Sequence, residues 1–152
     1  IGQSNNLFTR RSVVYITLDL SMLVLDHVSI SVPSTENARP FYDAVMAALG
    51  VAKVYDRPGA LGYGVRCNDI EDFHSCLAVY ESADVNFDEK RHWCFKATTR
   101  AQVAAFYSAG LANGGKDNGA PGLRPHYHAN YFGAFLYDPF GNRIEAVCHR
   151  AE

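Results

Sequence analysis

The sequence predicts an α+β fold made of two βαβββ units, and the main reason is an internal repeat. His92 follows His27 by 65 residues, and each histidine lies in a strand-like run. The same separation relates three further pairs: Ser34 and Thr99, Phe41-Tyr42 and Phe106-Tyr107, and Gly50 and Gly115. Within the first copy a strand-like run is followed by a helical stripe and then by short strands separated by turns. We therefore expect units at residues 24–81 and 90–149, within one domain of residues 22–149.

The first strand of each unit has two unlike faces. In LDHVSISV the apolar residues alternate with His27 and two serines, and in RHWCFKA the residues Trp93 and Phe95 alternate with His92, Cys94 and Lys96. Because side chains of a strand point alternately to its two faces, both histidines are predicted to point away from the core. A lone histidine on a strand is more often a surface residue than a ligand, but two at equivalent positions favour a shared site.

A helix is predicted in each unit after the first strand. Residues 34–49 have Ser34 as a helix N-cap, an apolar stripe at spacings of three and four, and Gly50 as the stop. Pro40 is unfavourable inside a helix but tolerated in the first turn, so a later start with Asn37 as the N-cap is an alternative. Residues 99–113 begin with capping-box spacing between Thr99 and Gln102, and the stripe of this helix consists of Val103, Phe106, Tyr107 and Leu111.

The stretch after the second helix, residues 115–130, reads as a long glycine- and proline-rich loop. Such loops in compact domains are usually functional or disordered, and four residues with functional side chains favour function here: Arg124, His126, Tyr127 and His128. A closing hairpin follows, with a turn at DPFG and Glu145 in the last strand.

Composition excludes several classes of function. The 152 residues are 48% hydrophobic and carry a net charge of −2 with interspersed signs, so we expect neither a nucleic-acid partner nor a membrane partner. The four cysteines form no CxxC pair, which favours a reducing cytoplasm. Residues 1–21 have no secretory pattern and only a short apolar run, at residues 13–20, so we expect a leader or an extra edge strand.

Three stretches resemble the vicinal oxygen chelate superfamily, which includes glyoxalases, bleomycin-binding proteins, extradiol ring-cleaving dioxygenases and fosfomycin-resistance thiol transferases. They are LDHVSISV, the Phe-Tyr dipeptide of each helix, and above all GAFLYDPFGNRIEAV. The resemblance covers residues 24–149. It implies a curved, mixed, eight-stranded sheet with the helices on its convex face and one divalent metal ion on its concave face. It also implies a homodimer, and it leaves open whether the site lies within one chain or across two.

Carried over to this chain, the superfamily's ligand positions are His27, His92 and Glu145. A fourth position, a glutamate in glyoxalases, corresponds here to Ala78 or, with a two-residue shift, to Tyr80. Two imidazoles and one carboxylate leave open positions for a substrate with neighbouring oxygens, and Fe, Mn, Zn and Ni all accept this set. The resemblance therefore implies a metal-dependent lyase or isomerase, or a dioxygenase.

Other residues complete the predicted site. We expect His126 or His128, with Tyr127 between them, to supply a catalytic acid or base if the loop covers the cleft. Arg124, Tyr80 and His74 are candidates for contact with the small-molecule substrate. Two alternatives stay open: a thiol transferase, which would use a thiol cosubstrate, and a protein that binds an aromatic ligand without catalysis.

Overall fold

The computed structural model describes residues 24–70, 73–86, 88 and 90–152, and the predicted extension at residues 1–21 lies outside them. The first unit consists of strand β1 (His27–Val32), helix α1 (Thr35–Ala48) and strands β2 (Lys53–Arg57), β3 (Ala60–Val65) and β4 (Ser75–Glu81). The second consists of strand β5 (His92–Lys96), helix α2 (Arg100–Ala112) and strands β6 (Lys116–Leu123), β7 (Phe132–Tyr137) and β8 (Arg143–Cys148). The predicted α+β fold of two βαβββ units is confirmed.

The eight strands form two four-stranded mixed sheets with the same internal order. The first sheet has the order β1-β4-β3-β2 and the second β5-β8-β7-β6. In each sheet the first strand of the unit pairs with the last in parallel, and the other pairs are antiparallel. The repeat seen in the sequence is thus a repeat of topology, with β1 and β5 as equivalent edge strands.

The larger of two apolar clusters joins the two units. Ile30 and Val32 of β1 are buried while the histidine and serines of that strand are not, so the predicted two faces of β1 are confirmed. The main apolar cluster contains residues from both units, among them Phe41, Phe106 and Ile144. Neither helix in the described part of the chain is long and apolar enough to cross a membrane.

The turn between β7 and β8 of the second unit is hydrogen-bonded to the first unit. The Tyr42 hydroxyl donates a hydrogen bond to Asp138 Oδ2 over 2.8 Å, and Asp138 is only 1% exposed. The backbone N–H groups of Phe140 and Asn142 donate to Asp138 Oδ1. Asn142 Nδ2 also donates to the carbonyl oxygen of Ser31 over 3.2 Å. Asp138 therefore shapes its own turn and anchors α1 to it.

Helix α1 begins directly after Ser34, the first of its two candidate N-caps. The Ser34 hydroxyl accepts a hydrogen bond from the Asn37 backbone N–H over 3.3 Å, so the alternative N-cap at Asn37 is wrong. Glu81, at the end of β4, accepts from both the backbone N–H and the hydroxyl of Thr35. These bonds satisfy donors of the first turn, and the helix continues through Pro40.

Two details of the second unit differ from the prediction. Leu111 is 40% exposed, and Gly110 takes its place against Phe41 and Leu136, because a residue without a side chain lets α2 approach its neighbours. The stretch predicted as a loop over residues 115–130 begins with strand β6. This edge strand is irregular, with register shifts on both sides of Gly119, so it lacks the alternating pattern that would reveal it.

Candidate functional site

His92 and Glu145 lie side by side on the face of the second sheet that is turned away from the helices. Cys94 is opposite Glu145 in the parallel β5–β8 pair, and His92 is opposite Arg143. His92 Nε2 lies 3.4 Å from Glu145 Oε2. The Glu145 side chain is 3% exposed whereas that of His92 is 43% exposed. A carboxylate is thus buried next to an accessible imidazole.

Tyr131, just before β7, is the second partner of that carboxylate. Its hydroxyl donates a hydrogen bond to Glu145 Oε1. Gly133 makes this contact possible, since a Cβ atom there would lie 3.0 Å from the Tyr131 ring and 3.2 Å from Glu145 Oε1. Loss of hydration, followed by the nearby Glu145 carboxylate, raises the pKa of Tyr131 well above its usual range. Tyr131 therefore stays protonated and remains a donor at neutral pH.

Cys94 lies on the same face and belongs to the same cluster. Its side chain is hydrogen-bonded to Glu145 and to Tyr131. Loss of hydration and the negative charge of Glu145 raise the pKa of Cys94 to about 12, although the residue is exposed on its strand. All four cysteines are free, and only Cys76 and Cys148 are buried. Cys94 is therefore a polar member of the cluster and not a core residue.

His27 belongs to a different group, at the start of β1. Its Nδ1 atom lies 2.6 Å from Asp26 Oδ1, and this hydrogen bond lowers the pKa of Asp26. His74 completes the group, with Nε2 3.8 Å from Asp26 Oδ1 and its ring 6.3 Å from that of His27. Among the described residues, this is the one set of three metal-binding side chains whose ligand atoms all lie within 4.8 Å of one another.

The structure therefore brings two of the three predicted metal ligands together within one chain. His92 and Glu145 are neighbours, whereas His27 lies with Asp26 and His74. Imidazole nitrogen and carboxylate oxygen are suitable donors for a divalent transition metal, and a cation would offset the burial of the Glu145 carboxylate. The donor set fits such an ion.

The strand register settles which residue corresponds to Glu145 in the first unit. Ser29 and Cys94 are separated by the repeat interval of 65 residues. Ser29 is opposite Ala78, and Cys94 is opposite Glu145. Ala78 is therefore the counterpart of Glu145, and Tyr80 is not, so the first unit offers no carboxylate at that position.

The loop after β6 reaches Glu145 through a series of rings. His126 packs on Tyr127 at 4.2 Å between ring centroids, and Tyr127 packs on Tyr131 at 5.1 Å. His128 lies 5.9 Å from His149, which lies 5.1 Å from Tyr131. Tyr127 thus packs directly on the partner of Glu145, while His126 and His128 reach that partner through the rings of Tyr127 and His149.

The predicted substrate-binding residues are divided between the two sheets. Arg124 lies over the ring of Phe135, which is opposite Glu145, and donates from Nη2 to the carbonyl oxygen of Ala120 over 2.8 Å. Tyr80 is in the first sheet, 41% exposed and hydrogen-bonded to Tyr55. Arg124 is therefore near Glu145, while Tyr80 lies in β4 of the first sheet and His74 lies just before β4, beside His27.

A small polar cavity separates the two sheets where the edge strands β1 and β5 come near each other. It is lined by Ser29, Ile30, Ser31, Arg91, Trp93, Asn142 and Arg143. None of the predicted site residues lines it. The cavity is therefore distinct from the group of His27 and from the group of His92.

Three residues of these clusters were not among the predicted site residues: Tyr131, Cys94 and Asp26. Strand parity in RHWCFKA already put Cys94 on the face of His92. Asp26 precedes His27 directly, and a carboxylate beside a histidine is a recognisable signal. Tyr131 has no such signal, because its contact with Glu145 depends on how the loop returns to β7.

Comparison with known proteins gives one matching family model and several similar solved structures. The family model described as the glyoxalase/bleomycin resistance protein/dioxygenase superfamily matches residues 24–146. A glyoxalase/bleomycin resistance protein from Albidiferax ferrireducens T118 is 26% identical, with a TM-score of 0.71, over 81% of this chain and 97% of that one. A glyoxalase-related enzyme from Fulvimarina pelagi is 16% identical, with a TM-score of 0.61, over 83% and 88%. The search of proteins with curated functions gave no match.

Proposed function

Because the chain belongs to the glyoxalase/bleomycin resistance protein/dioxygenase superfamily, we propose that it is a metal-dependent enzyme acting on a small substrate with two neighbouring oxygen atoms. The observation that carries the proposal is the buried Glu145 carboxylate, 3.4 Å from the accessible His92. A buried carboxylate is costly without a positive partner, and a divalent cation at this place supplies one.

His27, His92 and Glu145 would hold the ion, and Fe, Mn, Zn and Ni are all compatible with two imidazoles and one carboxylate. Such an ion acts as a Lewis acid that stabilises negative charge on substrate oxygens. The group of His27 is separate from His92 and Glu145 within one chain, and this favours completion of the site across a homodimer. The free cysteines support action in a reducing cytoplasm.

The chain's own residues suggest how a substrate is handled. Tyr131 holds Glu145 in place through its hydroxyl proton. The Arg124 guanidinium, beside Phe135, would attract a negatively charged substrate to the same face. Tyr127 packs on Tyr131, and its neighbours His126 and His128 would supply a proton acceptor or donor once a substrate lies against Glu145.

A dioxygenase-like reaction is favoured over a glyoxalase-like one. The glyoxalase reaction needs a base at the substrate carbon, and in that family a glutamate serves at the position of Ala78. An alanine has no group that accepts a proton. The three remaining ligands match the two-histidine, one-carboxylate set of non-haem Fe(II) oxygenases.

Metal binding is the first test of the proposal. Protein purified without a histidine tag and stripped with a chelator should bind at least one of Fe(II), Mn(II), Zn(II) and Ni(II) in calorimetric titrations. We expect Glu145→Gln and His92→Ala to weaken that binding at least tenfold, because each removes a ligand. Glu36→Gln, at an exposed site on α1, is the matched control and should bind like wild type. A wild-type protein that binds none of the four ions would contradict the proposal.

The reaction class needs a separate assay. Three substrate mixtures distinguish the candidates: a catechol with anaerobically loaded Fe(II), methylglyoxal with glutathione, and an epoxide with a thiol. We expect ring cleavage of the catechol and loss of that activity in His92→Ala. Turnover of the epoxide would identify a thiol transferase, and turnover of methylglyoxal would show that the missing glutamate is dispensable. A metal-loaded protein that binds an aromatic ligand and turns over none of the mixtures would be a binding protein.

A further inference from the structure

Asp26, His27 and His74 form a polar group whose internal geometry is that of a hydrogen-bonded set. The 2.6 Å between Asp26 Oδ1 and His27 Nδ1 is a short hydrogen bond between an imidazole N–H and a carboxylate oxygen. Two atoms that each lie about 2.1 Å from one ion are typically about 3 Å apart or more. The contact therefore describes a carboxylate that accepts a hydrogen bond from the imidazole N–H, and not two ligands of one ion.

The hydrogen bond that His74 Nδ1 accepts assigns the tautomer of the neutral His74 ring. The backbone N–H of Cys67 donates to His74 Nδ1 over 3.4 Å, so Nδ1 acts as the acceptor in this ring. In a neutral imidazole one nitrogen accepts and the other carries the proton, which here is Nε2. That nitrogen is 3.8 Å from Asp26 Oδ1, and it has no lone pair to offer a metal.

From this geometry we propose that Asp26 is a positioning residue that holds His27 in the tautomer with its proton on Nδ1, which leaves the Nε2 lone pair for the metal ion. His74 Nε2 faces the same Asp26 oxygen from 3.8 Å, and His74 is not itself a ligand. This inference rests on the proposed role of His27 as a ligand. Carboxylates that accept the second N–H of a metal-binding histidine usually change metal affinity by about 10-fold to 100-fold when they are removed.

The tautomer is measured first, in metal-free protein labelled with ¹⁵N-histidine. At a pH where the ring is neutral, His27, assigned by the signal lost in His27→Gln, should show a proton on Nδ1. In Asp26→Ala the signal should move to the Nε2-protonated pattern. An unchanged tautomer in Asp26→Ala overturns the inference, whether or not the protein binds metal.

Metal affinity is measured second, by titration of the stripped protein with Zn(II). We expect Asp26→Ala to weaken binding about 10-fold to 100-fold, and Asp26→Asn to weaken it less because an amide oxygen still accepts a hydrogen bond. His74→Ala should cause a smaller loss than Asp26→Ala. Asp84→Ala removes the same charge at an exposed site and serves as the matched control.

The outcomes separate this inference from the proposed function. If wild type binds Zn(II) and Asp26→Ala binds equally well, the positioning role is wrong and the proposed metal site stands. If His74→Ala abolishes binding while His92→Ala does not, Asp26, His27 and His74 hold the ion themselves, and both the inference and the shared site are wrong. If wild type binds no ion, the proposed function fails, and the tautomer measurement alone decides what Asp26 does to His27.

Discussion

At the scale of single residues, the chemistry of the second unit is organised by the Glu145 carboxylate. Its oxygens meet the Tyr131 hydroxyl, the His92 imidazole and the Cys94 thiol. Loss of hydration is the first reason why the pKa values of the Cys94 thiol and the Tyr131 phenol are raised, and the neighbouring Glu145 carboxylate is the second. The thiol and the phenol are therefore kept protonated, and each remains able to donate a hydrogen bond.

The first prediction concerns the reactivity of Cys94. A pKa raised to about 12 leaves roughly one Cys94 thiol in ten thousand ionised at pH 8. We expect iodoacetamide to label Cys94 at least tenfold more slowly in folded protein than in urea, as read by site-resolved mass spectrometry. Glu145→Gln removes the repelling charge and should speed labelling of the folded protein. Equal rates in folded wild type and in urea would show that the thiol is not held in its protonated form.

Sequence patterns identified some of these residues but not their contacts. His27 and His92 are found by the repeat and by strand parity, and their strands have the two faces expected. The resemblance singled out Glu145, and its burial and its contact with His92 became visible only in the structure. The role of Tyr131 was not predictable, because it depends on the space that Gly133 leaves between two side chains.

At the scale of elements, the packing of α2 depends on one glycine. A Cβ atom at Gly110 would lie 2.3 Å from Leu136 Cδ1 and 3.3 Å from both Phe41 and Val45. All three neighbours are fully buried, so little space exists for adjustment. The close approach of the two helices therefore requires a residue without a side chain at this position.

The second prediction is that Gly110→Ala destabilises the fold. Overfilling a packed core typically costs about 1–3 kcal/mol, while alanine gains about 1 kcal/mol over glycine within a helix. We expect a net loss of up to about 2 kcal/mol in the free energy of unfolding, measured in urea. Ser108→Ala, at an exposed site on the same helix, should change it by less than about 0.5 kcal/mol. A stabilised Gly110→Ala protein would mean that the helix contact is loose.

The helices were easier to predict than strand β6. Capping residues such as Ser34 and Thr99 act locally, so the ends of α1 and α2 follow from short sequence signals. Strand β6 contains two glycines and Pro121, and its pairing with β7 is interrupted twice. At the edge of a sheet these residues are tolerated, because one side of the strand needs no partner. The glycine and proline content of residues 115–130 indicated a loop, but pairing with β7 makes the first part of this segment a strand.

At the scale of the whole molecule, two similar units differ in the chemistry they retain. The first has Ala78 where the second has Glu145, so a carboxylate is missing from one half of the repeat. The first unit keeps His27 with Asp26, and the second keeps His92 with Glu145. The sequence repeat identifies both histidines. It does not show whether the His27 and the His92 of one site belong to one chain or to two, since that depends on how chains associate.

The last prediction tests whether one site uses two chains. In a symmetric dimer whose sites each combine His27 of one subunit with His92 of the other, a mixed dimer of His27→Ala and His92→Ala contains one intact site and one doubly damaged site. We expect such a mixed dimer, isolated by two different affinity tags that contain no histidine, to bind about one metal ion where the wild-type dimer binds about two. Each variant alone should bind at least tenfold more weakly, because all of its sites lack one ligand. Mixed dimers that bind no better than the single variants would show that each site lies within one chain. A monomer at micromolar concentration in light scattering would contradict the shared site directly, because the two groups of ligands would then never meet.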